Sequence, residues 1–420
     1  MRYLIIGAVA VLSMPLFAQS PPGSRAVAPG TFDPARSAVI DRALQRYIDT
    51  DRVAGIVALA MQDGHVVYEK AFGWSDKEAG RRMTTDTIFR IASQTKALTS
   101  AAIMQLVEEG SLTLSTRVST LLPTFTKTSV AVANSRGRVT QMPAERPITI
   151  RDLLTHTAGI SYGTEPAVAD RYEEEGLGPA AGMGWYTADK DEAVCETIAR
   201  LGTLPFVAQP GEAWVYGYNT DILGCIVEKV SGMPLDAYLR DRIIGPLGMK
   251  VTQFFLPAAQ KDRLAAVYSS GTDGKYLRAP EGARGQGHYI HGPRKNFAGG
   301  AGLLSTARDY ARFLEAMRRG GTLDGVRILS PLAVKLMSTN QVGTLHSGNG
   351  LGFGLGFETV DRFGANGMSQ EGAFGWGGAY GSVYRVDPEA RLTMVLMIQL
   401  IPNTTDIREV FPTLIYQALR

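Results

Sequence analysis

Cysteine and histidine, two residue types that often bind metals, are scarce in this chain. It has two cysteines and five histidines among 420 residues. Of the histidines, His288 and His291 lie close enough to share a metal ion, but no third ligand follows them at a familiar spacing. The alternating glycines between positions 348 and 356 lack the following helix that a dinucleotide-binding loop requires. We therefore expect neither a metal nor an organic cofactor.

Excess charge and long apolar runs are also missing. The formal net charge is +3, and no basic cluster is interleaved with aromatic residues, so nucleic acid is not an expected partner. The longest apolar run, Leu4 to Phe17, is too short for a comfortable membrane span. Arg2 precedes it and the small residue Ala18 follows it, which is typical of a secretory signal peptide over residues 1–18.

That signal peptide predicts that the protein is exported. Residues 19–34 are rich in proline, glycine and serine and indicate a flexible leader. No cysteine stands near the cleavage point for lipid attachment, so we expect a periplasmic or secreted protein with no stable membrane anchor. Export would permit a disulfide between Cys195 and Cys225. Because Cys225 lies in an apolar helical segment, however, an unpaired buried thiol is the favoured prediction.

The hydrophobic periodicity predicts an α+β fold. An amphipathic helix over residues 35–50 precedes a hairpin of residues 53–62 and 65–72, with Asp63-Gly64 at the turn. Residues 380–386 and 392–399 form a second hairpin before a C-terminal helix. We expect both hairpins to share one antiparallel sheet flanked by the terminal helices. Residues 35–96 and 296–420 would then form an α/β sheet domain, and residues 97–295 a helical domain with long loops.

Ser93 and Lys96 are the first candidate catalytic residues. They precede a run of strong helix formers that ends at Gly110, so the serine falls in the first helical turn and the lysine one turn later on the same face. A serine hydroxyl becomes a useful nucleophile only when a base takes its proton. Lys96 can reach that hydroxyl without help from a distant part of the chain.

Tyr216 is the candidate proton carrier for the leaving group. It lies in a glycine- and aromatic-rich loop that leads into a predicted helix over residues 220–230. Tyrosine and lysine close together form one coupled system that shares a proton. The sequence does not decide which partner holds it.

The residues Ser93-Gln94-Thr95-Lys96, the loop ending in Tyr216 and the segment Gly375-Trp376-Gly377-Gly378-Ala379 resemble the three motifs of the serine beta-lactamase-like superfamily. The chain is most similar to the family VIII carboxylesterases, which share their fold with class C beta-lactamases. The resemblance implies that Ser93 is acylated and that Lys96 and Tyr216 handle the proton. It also implies an oxyanion hole made by the backbone N–H groups of Ser93 and Ala379.

Two departures from the beta-lactamase motifs bear on the substrate. The third motif normally begins with a lysine that meets the antibiotic's carboxylate, and here that place is Trp376, which with Gly377 and Gly378 suits an apolar substrate wall. The second motif normally has asparagine two residues after its tyrosine, and here that place is Tyr218, with Asn219 one step later. We take Tyr218 as a further substrate-binding candidate.

The hypothesis from the sequence is a serine carboxylesterase that acts on neutral esters with short acyl chains. Beta-lactam hydrolysis or cleavage of D-amino-acid peptides at the same site is one alternative, in which Arg385 or Arg294 would supply the missing cation. Acyl transfer to an alcohol is a second alternative, and a penicillin-binding protein without turnover is a third. A different nucleophile, Ser161 within Gly159-Ile160-Ser161-Tyr162-Gly163, lacks the strand and helix that its hydrolase motif requires.

Overall fold

The structure is a computed structural model, which describes residues 30–133, 138–178, 187, 190–282 and 285–420. The predicted signal peptide and residues 19–29 of the predicted leader lie outside this part of the chain. Among the described residues, no helix is both long and apolar enough to cross a membrane.

The helices of the described chain are mostly short. Most of them come, in sequence, between the N-terminal and the C-terminal strands of the sheet. They are α1 (Ser37–Asp49), α2 (Thr95–Glu108), α3 (Val118–Leu121), α4 (Ile150–Leu154), α5 (Ala169–Glu174), α6 (Val194–Leu201), α7 (Asn219–Ser231), α8 (Leu235–Leu239), α9 (Ala307–Arg318), α10 (Pro331–Met337) and α11 (Ile407–Tyr416). A 3₁₀ turn, Ala92–Gln94, leads directly into α2, and a π-helical turn, Arg240–Ile244, continues α8.

The strands come mainly from the two ends of the chain. They are β1 (Gly55–Gln62), β2 (His65–Asp76), β3 (Arg81–Arg82), β4 (Phe89–Arg90), β5 (Ser129–Ala133), β6 (Val139–Pro143), β7 (Tyr268–Ser270), β8 (Tyr276–Arg278), β9 (Leu304–Ser305), β10 (Thr322–Leu323), β11 (Val326–Arg327), β12 (Leu351–Phe353), β13 (Glu358–Val360), β14 (Phe374–Gly377), β15 (Val383–Asp387) and β16 (Leu392–Met397).

One antiparallel sheet of eight strands joins the two ends, in the order β12-β13-β14-β15-β16-β1-β2-β3. The N-terminal and C-terminal hairpins meet where β1 pairs with β16, with Val57 opposite Met397. The predicted sharing of one sheet by the two hairpins is therefore confirmed. Asp63 and Gly64 both have positive φ, at 53° and 85°, as a primed two-residue turn requires.

Both faces of the central strands are buried, because successive side chains point to opposite sides. Along β1, Ile56 and Ala58 pack with the terminal helices α1 and α11. Val57 and Leu59 pack in the larger core that contains α2, α7 and α9. The sheet is thus covered by helices on both sides, and α2 lies buried along almost its whole length. The fold is of the mixed α+β class that the sequence predicted.

The helical boundaries follow recognisable end signals. The side chain of Thr306 accepts a hydrogen bond from the Asp309 N–H and caps α9. Gly232 ends α7 in the left-handed conformation. Pro412 lies inside α11. The division into two domains stays a prediction.

The cysteines contradict the favoured sequence prediction. Cys195 on α6 and Cys225 on α7 form a disulfide, with their Cα atoms 5.0 Å apart. The helical pattern around Cys225 correctly indicated burial but carried no information on the packing of α6 against α7. That packing brings the two side chains together.

We expect the double variant Cys195→Ala/Cys225→Ala to be less stable than the wild type by about 3 kcal/mol, because the disulfide closes a loop of 30 residues in the unfolded chain. Urea unfolding under oxidising conditions measures this difference. Reducing agent is expected to lower the wild-type midpoint toward that of the variant and to leave the variant unchanged. Equal stabilities would contradict the prediction.

Candidate active site

The turn that contains Ser93 is held in place by contacts from distant parts of the chain. Ala92, just before the serine, has a φ of 44°, which is uncommon for a residue with a side chain. The Tyr310 hydroxyl donates to the Gln94 carbonyl at 2.9 Å, and the Leu303 N–H donates to the Thr95 Oγ1 at 3.1 Å. A backbone conformation of this kind persists only where its surroundings fix it. Ser93 is left 7% exposed at the start of α2.

Lys96 is almost fully buried, with 3% exposure, and its ammonium is satisfied by three acceptors. Its Nζ lies 3.4 Å from the Ser93 Oγ and 2.7 Å from the Gly300 carbonyl oxygen. The third acceptor is the Tyr162 hydroxyl at 2.9 Å. A buried charge is tolerated when its donors are used in this way. The proximity of serine and lysine that the helical spacing predicted is therefore present.

Asp221 is a buried acid close to this ammonium. One of its carboxylate oxygens accepts a hydrogen bond from the Gly300 N–H at 3.0 Å, so Gly300 is held by Asp221 at one end and by Lys96 at the other. Gly300 has no room for a side chain, since an added Cβ would lie 2.3 Å from the second oxygen of Asp221. Burial raises the pKa of Asp221 to about 6, against the opposing effect of the Lys96 charge.

Tyr216 lies in the same cavity as Ser93. Its ring centroid is 4.8 Å from the Lys96 Nζ, within the range of a cation–π contact. Its hydroxyl accepts a hydrogen bond from the Trp376 indole N–H at 3.0 Å. Trp214 stacks on its ring with the centroids 5.7 Å apart. The second and third predicted motifs are thus in direct contact.

His156 contacts the Tyr216 loop through both its backbone and its ring. Its carbonyl accepts from the Val215 N–H at 2.8 Å, and its ring lies 4.8 Å from that of Tyr216. Burial, with a smaller effect from the Lys96 charge, lowers the pKa of His156 well below its usual value. A neutral imidazole in this position is a packing and hydrogen-bonding group and adds no second cation to the site.

Tyr162 is a site residue that the sequence analysis missed. Its buried hydroxyl accepts a hydrogen bond from the Lys96 ammonium. Burial raises the pKa of Tyr162 well above its usual value, and the neighbouring Tyr216 and Asp221 act in the same direction, so the phenol stays protonated at neutral pH. The only signal in the sequence was the rejected motif of residues 159–163. There Ser161 is fully buried, and its Oγ accepts from the Gly163 N–H at 2.9 Å.

Tyr218 and Asn219 lie behind the cavity. The Tyr218 hydroxyl donates to the Leu177 carbonyl at 2.6 Å, and its ring packs edge-on against Tyr162. Asn219 uses its amide nitrogen to join the His156 ring, at 3.0 Å, to the Ile160 carbonyl, at 3.2 Å. Neither side chain lines the cavity that contains Ser93. The structure thus gives both residues a supporting position, whereas Tyr218 was predicted to contact substrate.

The third motif forms the opposite wall. Trp376 and Gly377 belong to β14, and Gly378 packs so closely on the Ser93 turn that an added Cβ would lie 2.6 Å from the Ile91 carbonyl oxygen. This close approach brings Ala379 to the cavity beside Ser93. Ser93 is the second residue of the 3₁₀ turn, where the first N–H groups have no partner within the turn. The two backbone groups predicted as an oxyanion hole therefore border one space.

That space has a volume of about 730 Å³, which suits a small-molecule ligand. Its walls contain residues from all three motifs, charged residues from the sheet and α11, and a few neighbouring side chains. They are Ser93, Tyr162, Thr164, Tyr216, Glu358, Trp376, Gly377, Gly378, Ala379, Val383, Arg385, Arg408 and Glu409. No group of three or more potential metal ligands occurs among the residues described.

The fold and this serine–lysine–tyrosine arrangement define a protein of the beta-lactamase/transpeptidase type. A model of the Beta-lactamase family matches residues 40–411, and the chain belongs to this family.

Its relatives include esterases and acyltransferases. The chain is 34% identical to esterase EstB from Burkholderia gladioli over 373 residues, which cover 86% of this chain and 88% of that protein. It is 27% identical to monacolin J acid methylbutanoyltransferase from Aspergillus terreus over 396 residues, 87% of this chain and 91% of that one. The solved structure of EstCE1, a hydrolase with promiscuous acyltransferase activity, superposes with a TM-score of 0.72 at 27% identity, covering 91% of this chain and 98% of that one.

We expect Asp221→Asn to be more stable than the wild type at pH 8, by about 3 kcal/mol, if the amide retains the Gly300 hydrogen bond. The pKa of Asp221 is raised from an ordinary 3.8 to about 6, so the folded protein binds this proton more tightly than the unfolded chain. Ionisation therefore destabilises the fold. The penalty is small below pH 4, grows between pH 4 and 6 and is complete above pH 7.

The measurement is urea unfolding of both proteins between pH 4 and 8. The exposed Asp170 provides the control, since Asp170→Asn removes an acid without a burial penalty. The difference between wild type and Asp221→Asn should grow with pH, and that for Asp170→Asn should not. A difference that is constant with pH would rule out the buried ionisation.

Proposed function

We propose that this protein is a serine carboxylesterase that forms an acyl-enzyme on Ser93. The observation that carries the proposal is the position of the buried Lys96 Nζ, 3.4 Å from the Ser93 Oγ, because Ser93 lines one cavity together with Tyr216 and Ala379. A nucleophile, a proton-transfer pair and an oxyanion site around one space are the parts that acyl transfer needs. The similarity to esterase EstB supports the same activity.

In the proposed reaction, the Ser93 Oγ attacks the ester carbonyl while its proton passes to the Lys96–Tyr216 pair, whose two groups share one proton so that one of them is free to accept it. The carbonyl oxygen becomes an oxyanion held by the N–H groups of Ser93 and Ala379, and each such donor contributes roughly 3 kcal/mol. The tetrahedral intermediate collapses as the pair returns the proton to the leaving alkoxide. Water then repeats the sequence on the acyl-enzyme and releases the acid.

The favoured substrates are neutral esters with short acyl chains. Arg385 is engaged by Glu358 at 3.3 Å, and Arg294 lines a different cavity with Phe254 and Phe297. The two cations considered for a beta-lactam carboxylate are therefore occupied or elsewhere. Trp376 presents an indole where beta-lactamases have lysine, which favours an uncharged group at that wall.

Acyl transfer to an alcohol is the second candidate function, because EstCE1 and the Aspergillus relative are described as acyltransferases or as having that activity. The same acyl-enzyme would serve both reactions, with an alcohol in place of water. We also propose export to the periplasm or the medium. The Cys195–Cys225 disulfide supports an oxidising compartment.

We expect the wild type to hydrolyse 4-nitrophenyl butyrate with steady-state turnover and Ser93→Ala to lose it by at least about a thousandfold, because the nucleophile is removed. Release of 4-nitrophenol measures the rate, and a chromogenic cephalosporin is assayed in parallel. Butyl butyrate formed on addition of 1-butanol would reveal acyl transfer.

The other outcomes are distinguishable in the same assay. Cephalosporin turnover exceeding ester turnover by orders of magnitude would replace the esterase proposal with a beta-lactamase. A single burst without steady state would indicate a penicillin-binding protein. Full activity in Ser93→Ala would exclude the serine mechanism.

Two single substitutions separate the roles of the tyrosines. We expect Tyr216→Phe to lower kcat on 4-nitrophenyl butyrate by about a hundredfold or more, the usual loss for a group that transfers a proton. Tyr162→Phe should cost only about tenfold, because Lys96 keeps its contacts with Ser93 and Gly300. The reverse order would assign proton transfer to Tyr162.

A further inference from the structure

Arg408 lines the cavity together with Arg385 and is thus a second arginine at this site. The sequence analysis did not identify it, because it lies outside the three motifs. It lies in the first turn of α11, half-buried under the third motif, and its guanidinium donates to the Gly378 carbonyl oxygen. An added Cβ on Gly377 would lie 3.5 Å from the guanidinium carbon, which shows how closely the group packs under this segment. Within the described part of the chain, no carboxylate is within ion-pair distance of Arg408, in contrast to Arg385.

The hydrogen bond from Arg408 acts on the peptide unit between Gly378 and Ala379. The Gly378 carbonyl and the Ala379 N–H belong to one planar trans peptide, so they point in opposite directions. The carbonyl receives a second hydrogen bond from the Gly381 N–H at 3.0 Å. Two donors on one side fix the plane and aim the Ala379 N–H toward the other side. In the described structure, that N–H has no hydrogen-bond partner.

We propose that Arg408 is a positioning residue of the oxyanion hole, which orients and polarises the Gly378–Ala379 peptide through the Gly378 carbonyl. This inference rests on the proposed function. A positive charge at the carbonyl end of a peptide draws electron density away from the nitrogen and makes the N–H a stronger donor, as in a cooperative hydrogen-bond chain. The effect is larger in a partly desolvated site than in water. Burial also lowers the pKa of Arg408, which reflects the same desolvation.

The competing role for a cation at this place is direct binding of a substrate carboxylate. The contact with a backbone carbonyl favours the positioning role, because the guanidinium already uses a donor on the protein. The other charged residues that line the cavity are Glu358, Arg385 and the exposed Glu409, which follows Arg408 on the same helix. The two roles predict different kinetics. Support of the oxyanion hole acts on kcat for every ester, and carboxylate binding acts on KM for acidic esters alone.

The experiment compares Arg408→Met, Arg408→Lys and wild type on neutral 4-nitrophenyl butyrate and acidic mono-4-nitrophenyl succinate. Arg263→Met is the matched control, since Arg263 also donates to a backbone carbonyl, that of Asp86, at 2.8 Å, but does not line this cavity. Labelling of Ser93 by a fluorophosphonate provides a rate that needs no ester turnover. Thermal unfolding verifies that each variant is folded.

We expect Arg408→Met to lower kcat about 10- to 100-fold on both esters, with KM within about twofold, because a weakened oxyanion donor costs less than its removal. Fluorophosphonate labelling should slow to a similar degree. Arg408→Lys keeps the charge and should retain more activity than Arg408→Met, about a tenth to a third of the wild-type kcat. The lysine variant alone tests the proposal if the methionine variant does not fold. Arg263→Met should match the wild type.

Three outcomes would overturn the inference. A folded Arg408→Met with wild-type kcat and labelling rate would remove any role for the guanidinium. A rise in KM confined to the acidic ester would assign Arg408 to carboxylate binding. Equal losses in Arg408→Lys and Arg408→Met, together with a lowered unfolding temperature in both, would leave a structural role only. A wild type that neither turns over ester nor is labelled at Ser93 would instead contradict the proposed function before Arg408 is altered.

Discussion

The burial of the Lys96 ammonium is the constraint on which the site depends. An ammonium removed from water must find acceptors for its protons, and one left unpaired would cost several kcal/mol. The fold supplies three acceptors, the Ser93 Oγ, the Tyr162 hydroxyl and the Gly300 carbonyl, from three segments far apart in sequence. Bringing those segments to one point fixes the Ser93 turn, the loop at residue 162 and the loop at residue 300 relative to each other.

The supporting contacts can be understood from that requirement. Thr99 on α2 donates to the Gly299 carbonyl at 2.8 Å, and Asp221 accepts from Gly300, so the loop that presents an acceptor to Lys96 is held on both sides. Asp221 also places a buried acid near the ammonium, although its own burial resists ionisation. The rings of His156, Trp214 and Trp376 pack around Tyr216 on the remaining side. Electrostatic interactions within the site are consequently stronger than they would be in solvent.

The sequence predicted the parts of this arrangement that local geometry determines. Ser93 and Lys96 are neighbours on one helical turn, and the hairpins follow from alternation and turn chemistry, so both were accessible without tertiary information. Tyr162 and Asp221 became site residues only through packing between distant segments, and no spacing rule joins either to Ser93. The Cys195–Cys225 pair was misjudged for the same reason, since it depends on how α6 and α7 cross. Tyr218 stood at a motif position, yet the side chain turns away to the Leu177 carbonyl.

Tryptophan in place of lysine in the third motif changes the charge at this side of the cavity and also the hydrogen bond that Tyr216 receives. The Trp376 indole N–H is a neutral donor, and it is directed at the Tyr216 hydroxyl at 3.0 Å. A lysine there would add a second ammonium beside Lys96 and would draw an anionic group into the site. With tryptophan, the Tyr216 oxygen keeps a fixed orientation through a donor that carries no net charge. The Lys96–Tyr216 pair is then positioned without help from a charged substrate, which suits the proposed hydrolysis of neutral esters.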